Sequence, residues 1–387
     1  MRPLIDKILG QRPMTSPLFS PPVQRSLAMT AWWLVLVNIF ALIAFNRLSL
    51  APDLAFTWMA DIVDPAQQSW NLINLHNRWD SYWYLDIAKN GYYLRGPTIS
   101  NVVFFPLYPL LMRYTAPLFG GDLVLAGWIL SCLFLFLAVL LLTRLVQEFH
   151  PQIESSLPTA FLLVHPAAFF LNAVYSESLF LTLSLAAVLW ARRRNFLIAS
   201  LCVALASATR VIGVFLAIIL VIEFVHAYGW RALFSRRVWP LMLSPLGILA
   251  FFLFHWISFG DFFLYLHVQT FFGRNFSVDF EELAIQTNPD LANMIIEFGH
   301  TVLAVLLGLI TLCRVRFSYG IYMLLALAVP LSTGSTLGIP RYSMVLFPMY
   351  LIAASLPSPV HRGAWLFGSA LFLALDIIRF THHYWVS

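Results

Sequence analysis

Charged residues are scarce in this chain, making up 11% of its 387 residues, whereas 60% are hydrophobic and the mean hydropathy is +0.80. A soluble domain carries roughly 25% charged residues. The composition therefore excludes an ordinary soluble protein and indicates a polytopic membrane protein. The formal net charge of +5 reflects arginines in short clusters between apolar runs. The orientation of the loops explains such clusters better than nucleic-acid binding does, so we expect no nucleic-acid partner.

Cysteine is also scarce. Cys132, Cys202 and Cys313 lie within or beside apolar runs and form no CxxC pair, so we interpret them as small buried hydrophobic residues rather than disulfides or metal ligands. The aspartates of the first long loop form no DxD pair, and no His/Asp cluster has the spacing of a metal site. The sequence therefore predicts no cofactor and no required metal.

Three apolar runs are too long to be single spans: 157–191, 195–229 and 317–356. A helix of about 35 residues would measure ~52 Å, against a hydrocarbon core of ~30 Å. We therefore expect each run to be a hairpin of two spans with its polar centre at the apex.

The proline-interrupted run 101–119 is interpreted as an interfacial or re-entrant helix that does not span. The positive-inside rule then places the arginine clusters in the cytoplasm. The fold class predicted is an all-α polytopic membrane protein of about eleven transmembrane helices, N-terminus inside and C-terminus outside. Its predicted parts are a cytoplasmic basic, proline-rich tail (1–26) and a single transmembrane domain (27–387), with a first outer loop carrying interfacial helices (50–121). The remaining single spans are expected at 27–49, 122–143, 238–259, 291–313 and 363–380.

This topology brings polar groups from four separate stretches to the outer face: Asp80, Tyr175 with Glu177, Arg210 and Arg341. Polar groups at membrane depth are costly and usually functional. Their convergence on one side predicts an active site or a substrate cavity.

The densest cluster of charge and aromatic rings lies at 78–92. Read as a helix that stops at Gly91, the segment places His76, Asp80 and Tyr84 on one face. A carboxylate on a helix lying at a membrane surface is a candidate catalytic base. The alternative is an interfacial anchor in which Asp80 only caps the helix or is solvated.

Trp79, Trp83 and Ile87 fall on a neighbouring face of the same predicted helix, as an aromatic band suited to the membrane surface. Asp86 lies about 120° around the helix from Asp80. The two carboxylates are therefore not expected to face one substrate.

One carboxylate and two arginines near lipid suit the transfer of a group from a lipid-linked phosphate donor. Arg210 and Arg341 would hold the phosphate through charge-assisted bonds. Asp80 would take the proton of the attacking hydroxyl, and direct displacement would invert the sugar carbon.

Each of these residues also has a structural alternative. Arg210 and Arg341 could be helix ends whose side chains reach the membrane surface. Glu177, at the start of a predicted helix, could be the ion-pair partner of a neighbouring arginine. His165, before Pro166, is more often a packed histidine at a helix kink than a ligand.

Several motifs resemble the PIG-V mannosyltransferases, spread along most of the chain after residue 75. The most specific of them is the first. They are Arg78-Trp79-Asp80-Ser81-x-Trp83-Tyr84-x-x-Ile87-Ala88-x-x-Gly91-Tyr92, then Phe104-Phe105-Pro106-Leu107-Tyr108-Pro109-Leu110, Tyr175-Ser176-Glu177-Ser178-Leu179-Phe180, Ala208-Thr209-Arg210 with Gly213, and Pro340-Arg341-Tyr342 before Phe347-Pro348.

The resemblance implies a GT-C fold whose first outer loop carries the catalytic acid, with polyprenyl-phosphate mannose as donor. On that basis Asp80 is the predicted base, acting on a hydroxyl of a lipid or glycan acceptor at the non-cytoplasmic side. Val211-Ile212 replaces the polar pair that follows the arginine in eukaryotic members, which add the second mannose of glycosylphosphatidylinositol anchors. This difference leaves the acceptor open, and the sequence by itself does not distinguish mannose from another hexose. The predicted donor-phosphate or substrate-binding residues are Arg78, Tyr84, Tyr175, Glu177, Arg210 and Arg341.

The chain is short and lacks a large lumenal insertion, which favours a prokaryotic relative in the inner membrane. The endoplasmic reticulum would be the location of a eukaryotic one. A transporter or lipid-sugar flippase is the main alternative function, although the halves show no convincing internal repeat. A scaffold subunit of a glycosylation complex is a third possibility, in which Asp80 would be dispensable.

Overall fold

A computed structural model describes residues 20–50, 72–95, 99–269, 291–332, 336, 338–384 and 386. The described chain is almost entirely helical, and its one small sheet is a pair of two-residue antiparallel strands, β1 (Leu94–Arg95) and β2 (Ile99–Ser100). The predicted all-α class is confirmed. The α-helices are α1 (Pro21–Arg47), α2 (Ser81–Asn90), α3 (Leu107–Thr115), α4 (Leu123–Phe149), α5 (Leu157–Leu163), α6 (Glu177–Arg192), α7 (Phe196–Ser207), α8 (Leu216–Tyr228), α9 (Leu246–Phe259), α10 (Leu264–Val268), α11 (Leu291–Arg314), α12 (Phe317–Leu331), α13 (Ile339–Met344), α14 (Pro348–Ala354) and α15 (Pro359–Thr381).

Short 3-10 helices supplement these elements. They are Asn74–His76, Ala116–Phe119, Pro166–Asn172, Val211–Phe215, Trp230–Phe234 and Arg236–Leu243.

Five described helices are long and apolar enough to cross a membrane: α1, α4, α8 with its preceding 3-10 turn, α11 from Ile296 onward, and α15. Two further helix pairs pass the same test together, although they bend by 95° and 52° at short breaks. The chain is therefore an integral membrane protein. The number of eleven spans stays a prediction, as does the domain division. Helix α1 begins at Pro21, earlier than the predicted boundary at 27, and residues 1–19 and 51–71 lie outside the described part.

Each of the three long apolar runs is broken at its polar centre. The first run breaks at 173–176, the second at 208–210 and the third between α12 and α13. At the second break, Arg210 has an extended backbone with φ −154° and ψ 145°. Gly213 then packs so closely that an added Cβ would lie 2.5 Å from the backbone of Ala206. The chain needs glycine here to turn back against α7.

The segment at 78–92 is not one continuous helix. Trp79 has a left-handed φ of 54°, and α2 begins only at Ser81 and ends before Gly91, whose φ is 83°. The predicted stop at Gly91 is confirmed. The shared face of His76 with Asp80 is wrong, because the turn at Trp79 separates them, and His76 bonds through Nε2 to Asn38 Oδ1 at 2.6 Å.

The predicted aromatic band is also wrong as a membrane-facing surface. Trp79, Trp83 and Ile87 are all buried within the protein. The reason is that the following segment returns across α2: Phe104 stacks on Trp83, and Arg113 donates from Nε to the carbonyl of Ala88 at 2.7 Å. Helix α3, at the centre of the run expected not to span, has 9 residues and so measures only about 14 Å.

A buried ion pair joins α8 and α12 at the ends away from Arg210 and Arg341. Glu223 accepts from Arg316, at 2.5 Å between Oε2 and Nη2, and from Ser318 Oγ at 2.8 Å. Helices α8 and α12 are thereby linked by charge near the start of α12, and the other end of α12 leads to the polar break before α13.

The orientation of these helices can be tested with an impermeant thiol reagent on intact cells, using a variant without the native cysteines. Lys89, at the end of α2, and Arg236, after α8, are both exposed. If the predicted topology holds, Lys89→Cys is labelled from outside, and Arg236→Cys is labelled only after the membrane is opened. Labelling of Arg236→Cys on intact cells would contradict the topology.

Candidate active site

Four charged side chains from distant parts of the sequence form one network. Arg341 donates from Nη1 to Asp80 Oδ2 at 2.5 Å and from Nε to Glu177 Oε1 at 2.6 Å. Arg210 donates from Nη1 to the same Glu177 oxygen at 2.5 Å. The four polar stretches that the predicted topology assigns to one face are thus in direct contact.

The network is buried to different depths. The Glu177 side chain is fully buried, that of Arg341 is 12% exposed, and that of Asp80 is 23% exposed. Two carboxylates and two guanidiniums balance in charge, as buried ions must. Asp80 is the acidic group of the network that a substrate could reach.

Helix breaks place all four side chains. Asp80 directly precedes α2, Glu177 is the first residue of α6, Arg210 precedes a 3-10 helix, and Arg341 lies in the short helix α13. The capping alternative for Asp80 is wrong, because its side chain makes no capping bond to α2. The surface-reaching alternative for the two arginines is also wrong, because both are buried in ion pairs.

Glu177 is the ion-pair partner of both arginines, which is the structural role that the sequence analysis gave as its alternative. Burial lowers the pKa of Arg341, but the neighbouring Glu177 and Asp80 carboxylates outweigh this effect and raise it above its ordinary value. Arg341 is therefore a permanent cation at the centre of the network.

Tyr175 supports both Asp80 and Arg341. Its hydroxyl accepts a bond from the Asp80 backbone N–H at 3.2 Å and donates to the carbonyl of Arg78 at 2.9 Å. Its ring centre lies 4.6 Å from the guanidinium carbon of Arg341, in a cation–π contact. Phe170 contacts the same guanidinium, at 5.0 Å.

Tyr84 lies beside the network. Its hydroxyl and the Ser176 hydroxyl are 3.0 Å apart, and its ring meets those of Tyr108 and Tyr175 edge-on. Burial raises the pKa of Tyr84, as does nearby Glu177. Tyr84 is thus a neutral hydrogen-bonding group.

Two charged residues of the segment 78–92, Arg78 and Asp86, form their bonds outside the network. Arg78 is fully buried and donates from Nη1 to the carbonyls of Asn74 and Asn77, at 2.5 and 2.9 Å. It therefore stabilises the turn before Asp80. Asp86 accepts bonds from the side-chain amides of Asn90 and Asn101, in agreement with its predicted position on another face.

Sequence reasoning missed Ser176 and Phe170 as site residues. Ser176 could have been found, because it stands between Tyr175 and Glu177 in a quoted motif. Phe170 carried no signal within an apolar run. His165 is buried, and its Nδ1 accepts from the N–H of Ala167 at 3.2 Å, as its packed alternative predicts. Across the described ranges, no three His, Cys, Asp or Glu side chains are grouped to hold a metal.

Comparison with protein families matches residues 29–274 to the mannosyltransferase (PIG-V) family. The chain belongs to the PIG-V mannosyltransferase family. The match covers the segment 78–92, Glu177 and Arg210, and it confirms the family expected from the sequence. The comparison with curated proteins found no match.

Two solved membrane-enzyme structures are similar in a general way. ArnT from Cupriavidus metallidurans, bound to undecaprenyl phosphate, has 14% identity and a TM-score of 0.48, over 88% of this chain and 63% of that one. The archaeal oligosaccharyltransferase AglB from Archaeoglobus fulgidus, in complex with an inhibitory peptide and a dolichol-phosphate, has 14% identity and a TM-score of 0.44, over 91% of this chain and 56% of that one. This chain thus spans less than two thirds of either.

The network predicts that Glu177→Gln destabilises the protein. The change leaves Arg210 and Arg341 without the charge that they share, and breaking a buried pair costs about 3–5 kcal/mol. We expect a clear drop in Tm in detergent. Glu154→Gln is the control, because Glu154 pairs with Arg25 at an exposed site, where the cost is about 0–1 kcal/mol. Equal Tm values for the two variants would contradict the structural role of Glu177.

Proposed function

We propose that this PIG-V family member is an inverting glycosyltransferase that moves a mannose, or another hexose, from a polyprenyl-phosphate donor to a hydroxyl of a lipid or glycan acceptor. The observation that carries the proposal is a partly exposed carboxylate, Asp80, held by an arginine that lies beside a second arginine. Membership of the PIG-V mannosyltransferase family supports the reaction class. The arrangement of the charged side chains supports Asp80 as the base and the two arginines as the groups that bind the phosphate.

Asp80 acts as the general base. The acceptor hydroxyl attacks the anomeric carbon from the side opposite the phosphate, and Asp80 takes its proton as the new C–O bond forms. The bond between the anomeric carbon and the phosphate oxygen breaks, and the polyprenyl phosphate leaves as an anion. Because a single displacement occurs, the sugar carbon is inverted.

The arginines hold the leaving phosphate. The bonds described for Arg341 come from Nε and Nη1, which leaves Nη2 for a phosphate oxygen. Arg210 gives Nη1 to Glu177 and lies close enough to share the same anion. Fixed cations at the point where negative charge develops stabilise the transition state without reorganisation.

Glu177 and Tyr175 are positioning residues in this proposal. Glu177 is fully buried between the arginines, so it sets their separation and has no surface to offer a substrate. Tyr175 holds the backbone of Asp80 and the guanidinium plane of Arg341. Arg78 acts indirectly, because it stabilises the turn before Asp80. Tyr84 also acts indirectly, through its hydroxyl contact with Ser176.

The proposed setting is the non-cytoplasmic side of the membrane, because the positive-inside rule assigns the arginine clusters between the apolar runs to the cytoplasm. The membrane would be the inner membrane of a prokaryote, or the endoplasmic reticulum of a eukaryote. The proposed reaction needs no metal, because the arginines supply the positive charge that stabilises the leaving phosphate.

Asp80→Asn is expected to cut turnover by about 10²–10⁴-fold, the usual contribution of a positioned base. Asparagine retains the size of the side chain but cannot take up a proton at neutral pH. The measurement is transfer of radiolabelled hexose from polyprenyl-phosphate mannose, in membranes supplied with candidate acceptors.

Asp86→Asn is the matched control in the same segment, because Asp86 accepts bonds from the side-chain amides of Asn90 and Asn101, and it should retain activity. Full activity of Asp80→Asn together with loss in Asp86→Asn would transfer the base role to Asp86. Activity in both variants would remove the catalytic acid from this loop and favour the transporter alternative.

Arg341→Lys is expected to raise the KM for the donor in a protein that still folds. Lysine keeps the charge, but its single ammonium cannot bond to Asp80, Glu177 and a phosphate in one plane. Donor titration at saturating acceptor measures the effect. Arg47→Lys, an exposed residue at the end of α1, is the control. An unchanged donor KM in Arg341→Lys would remove Arg341 from the phosphate site.

A further inference from the structure

The connection between α8 and α9, residues 229–245, lies on the outside of the helix bundle. Its two 3-10 helices, Trp230–Phe234 and Arg236–Leu243, contain no buried residue and pack against α7 and α8. Some apolar side chains of the connection are partly buried against the core: Ala232, Leu233, Val238 and Leu241. Larger ones are more than half exposed: Trp230, Phe234, Trp239 and Met242. The connection thus has one face on the protein and a second apolar face turned outward.

Three arginines lie among these exposed side chains: Arg231, Arg236 and Arg237. Within the described ranges, none of their guanidinium groups donates a hydrogen bond to the protein or forms an ion pair. The guanidinium carbon of Arg231 lies 5.6 Å from the ring centre of Trp230, and that of Arg237 lies 5.5 Å from the ring centre of Tyr228. The cations are therefore held beside exposed aromatic rings, with their N–H groups available to an anion.

The elements around the connection supply no acid that neutralises these arginines in the described part of the chain. The sequence has no Asp or Glu between Glu223 and Asp261, and Asp261 follows the far end of α9. Glu223, on α8, is buried and already holds Arg316. Helix α7 contains no charged residue. The positive charge of the connection is thus left for a partner outside the bundle.

The arginines at the ends of neighbouring helices differ from these three. Arg193, after α6, donates from Nε to Glu148 Oε2 at 2.9 Å, and Arg316, before α12, donates to Glu223. Their charge is satisfied within the protein. The contrast shows that an arginine at this end of the bundle is not unpaired by default, so the open charge of the connection calls for a separate explanation.

The connection joins two membrane-crossing elements. Helix α8 with its preceding 3-10 turn is long and apolar enough to cross, and α9 passes the same test together with Arg236–Leu243, from which it bends by 52°. A connection between two such elements lies at the surface of one leaflet. Tryptophan and tyrosine rings favour that level, and arginines there attract anionic head groups. The predicted topology makes this the cytoplasmic leaflet, which is the one that carries anionic lipids.

We propose that the connection 229–245 binds the head groups of anionic phospholipids, with its exposed aromatic side chains among the upper acyl chains and its three arginines on lipid phosphates. The occupant is a lipid because the cations lie beside exposed apolar side chains. It is anionic because unpaired cations have to be matched, and a zwitterionic head group brings its own cation.

This lipid site is separate from the proposed donor-phosphate site. Arg210 lies immediately before the element Val211–Tyr228, and the connection follows the other end of that element. An element of 18 residues measures about 27 Å as a helix. The inference therefore does not rest on the proposed transferase activity.

The test is lipid binding by the full-length protein in a neutral detergent. The protein would be titrated with phosphatidylglycerol, phosphatidylcholine or inorganic phosphate, and bound lipid would be counted by native mass spectrometry. We expect phosphatidylglycerol to bind more tightly than phosphatidylcholine, with an affinity that falls as salt is raised. Inorganic phosphate should not displace it, because the free anion offers nothing to the apolar face.

The combined variant Arg231→Gln, Arg236→Gln and Arg237→Gln is expected to bind phosphatidylglycerol about a hundredfold more weakly, since each arginine near an anionic surface contributes a factor of about five. The matched control makes the same charge change at arginines that are exposed or partly exposed and that each lie on a different connection: Arg194, Arg314 and Arg362. It should retain most of the affinity, because its arginines do not share one exposed aromatic face.

A lysine variant at the same three positions of the connection keeps the charge that orients the helices, and it should bind phosphatidylglycerol much as the parent does. The Tm of each variant checks that it is folded. Equal losses in the two glutamine variants would overturn the proposal, because binding would then follow total charge. Equal affinity of the parent for the two lipids, displacement by inorganic phosphate, or a folded lysine variant as weak as its glutamine counterpart would overturn it as well.

Discussion

The double ion pair of Arg341 is the interaction on which the rest of the site depends. One guanidinium bonds to Asp80 and to Glu177, and Glu177 passes the contact on to Arg210. Three long apolar runs and the first long loop are thereby joined at their polar breaks. In a protein with so little charge, such a network is costly to bury unless every member is paired. The ion pairs therefore allow these four charged side chains to be buried within a membrane-embedded helix bundle.

The same pairing sets the chemical task of the site. Asp80 is the more exposed of the two acids and is held by Arg341, so it is the one that an acceptor hydroxyl could reach. Glu177 is buried behind it and keeps two cations together, against their mutual repulsion. The two acids thus have different roles because they have different depths, although the sequence presents them as similar residues.

The sequence by itself determined the all-helical membrane class, the family, the breaks at Glu177, Arg210 and Arg341, and the stop at Gly91, because apolar length, motif spacing and glycine act locally. Only the tertiary structure decided the rest. A left-handed turn at Trp79 moved His76 off the face of Asp80, a returning segment buried the tryptophan band, and Glu177 became the ion-pair partner of two arginines. These outcomes depend on which distant segments pack against one another, and helical periodicity carries no information about that choice.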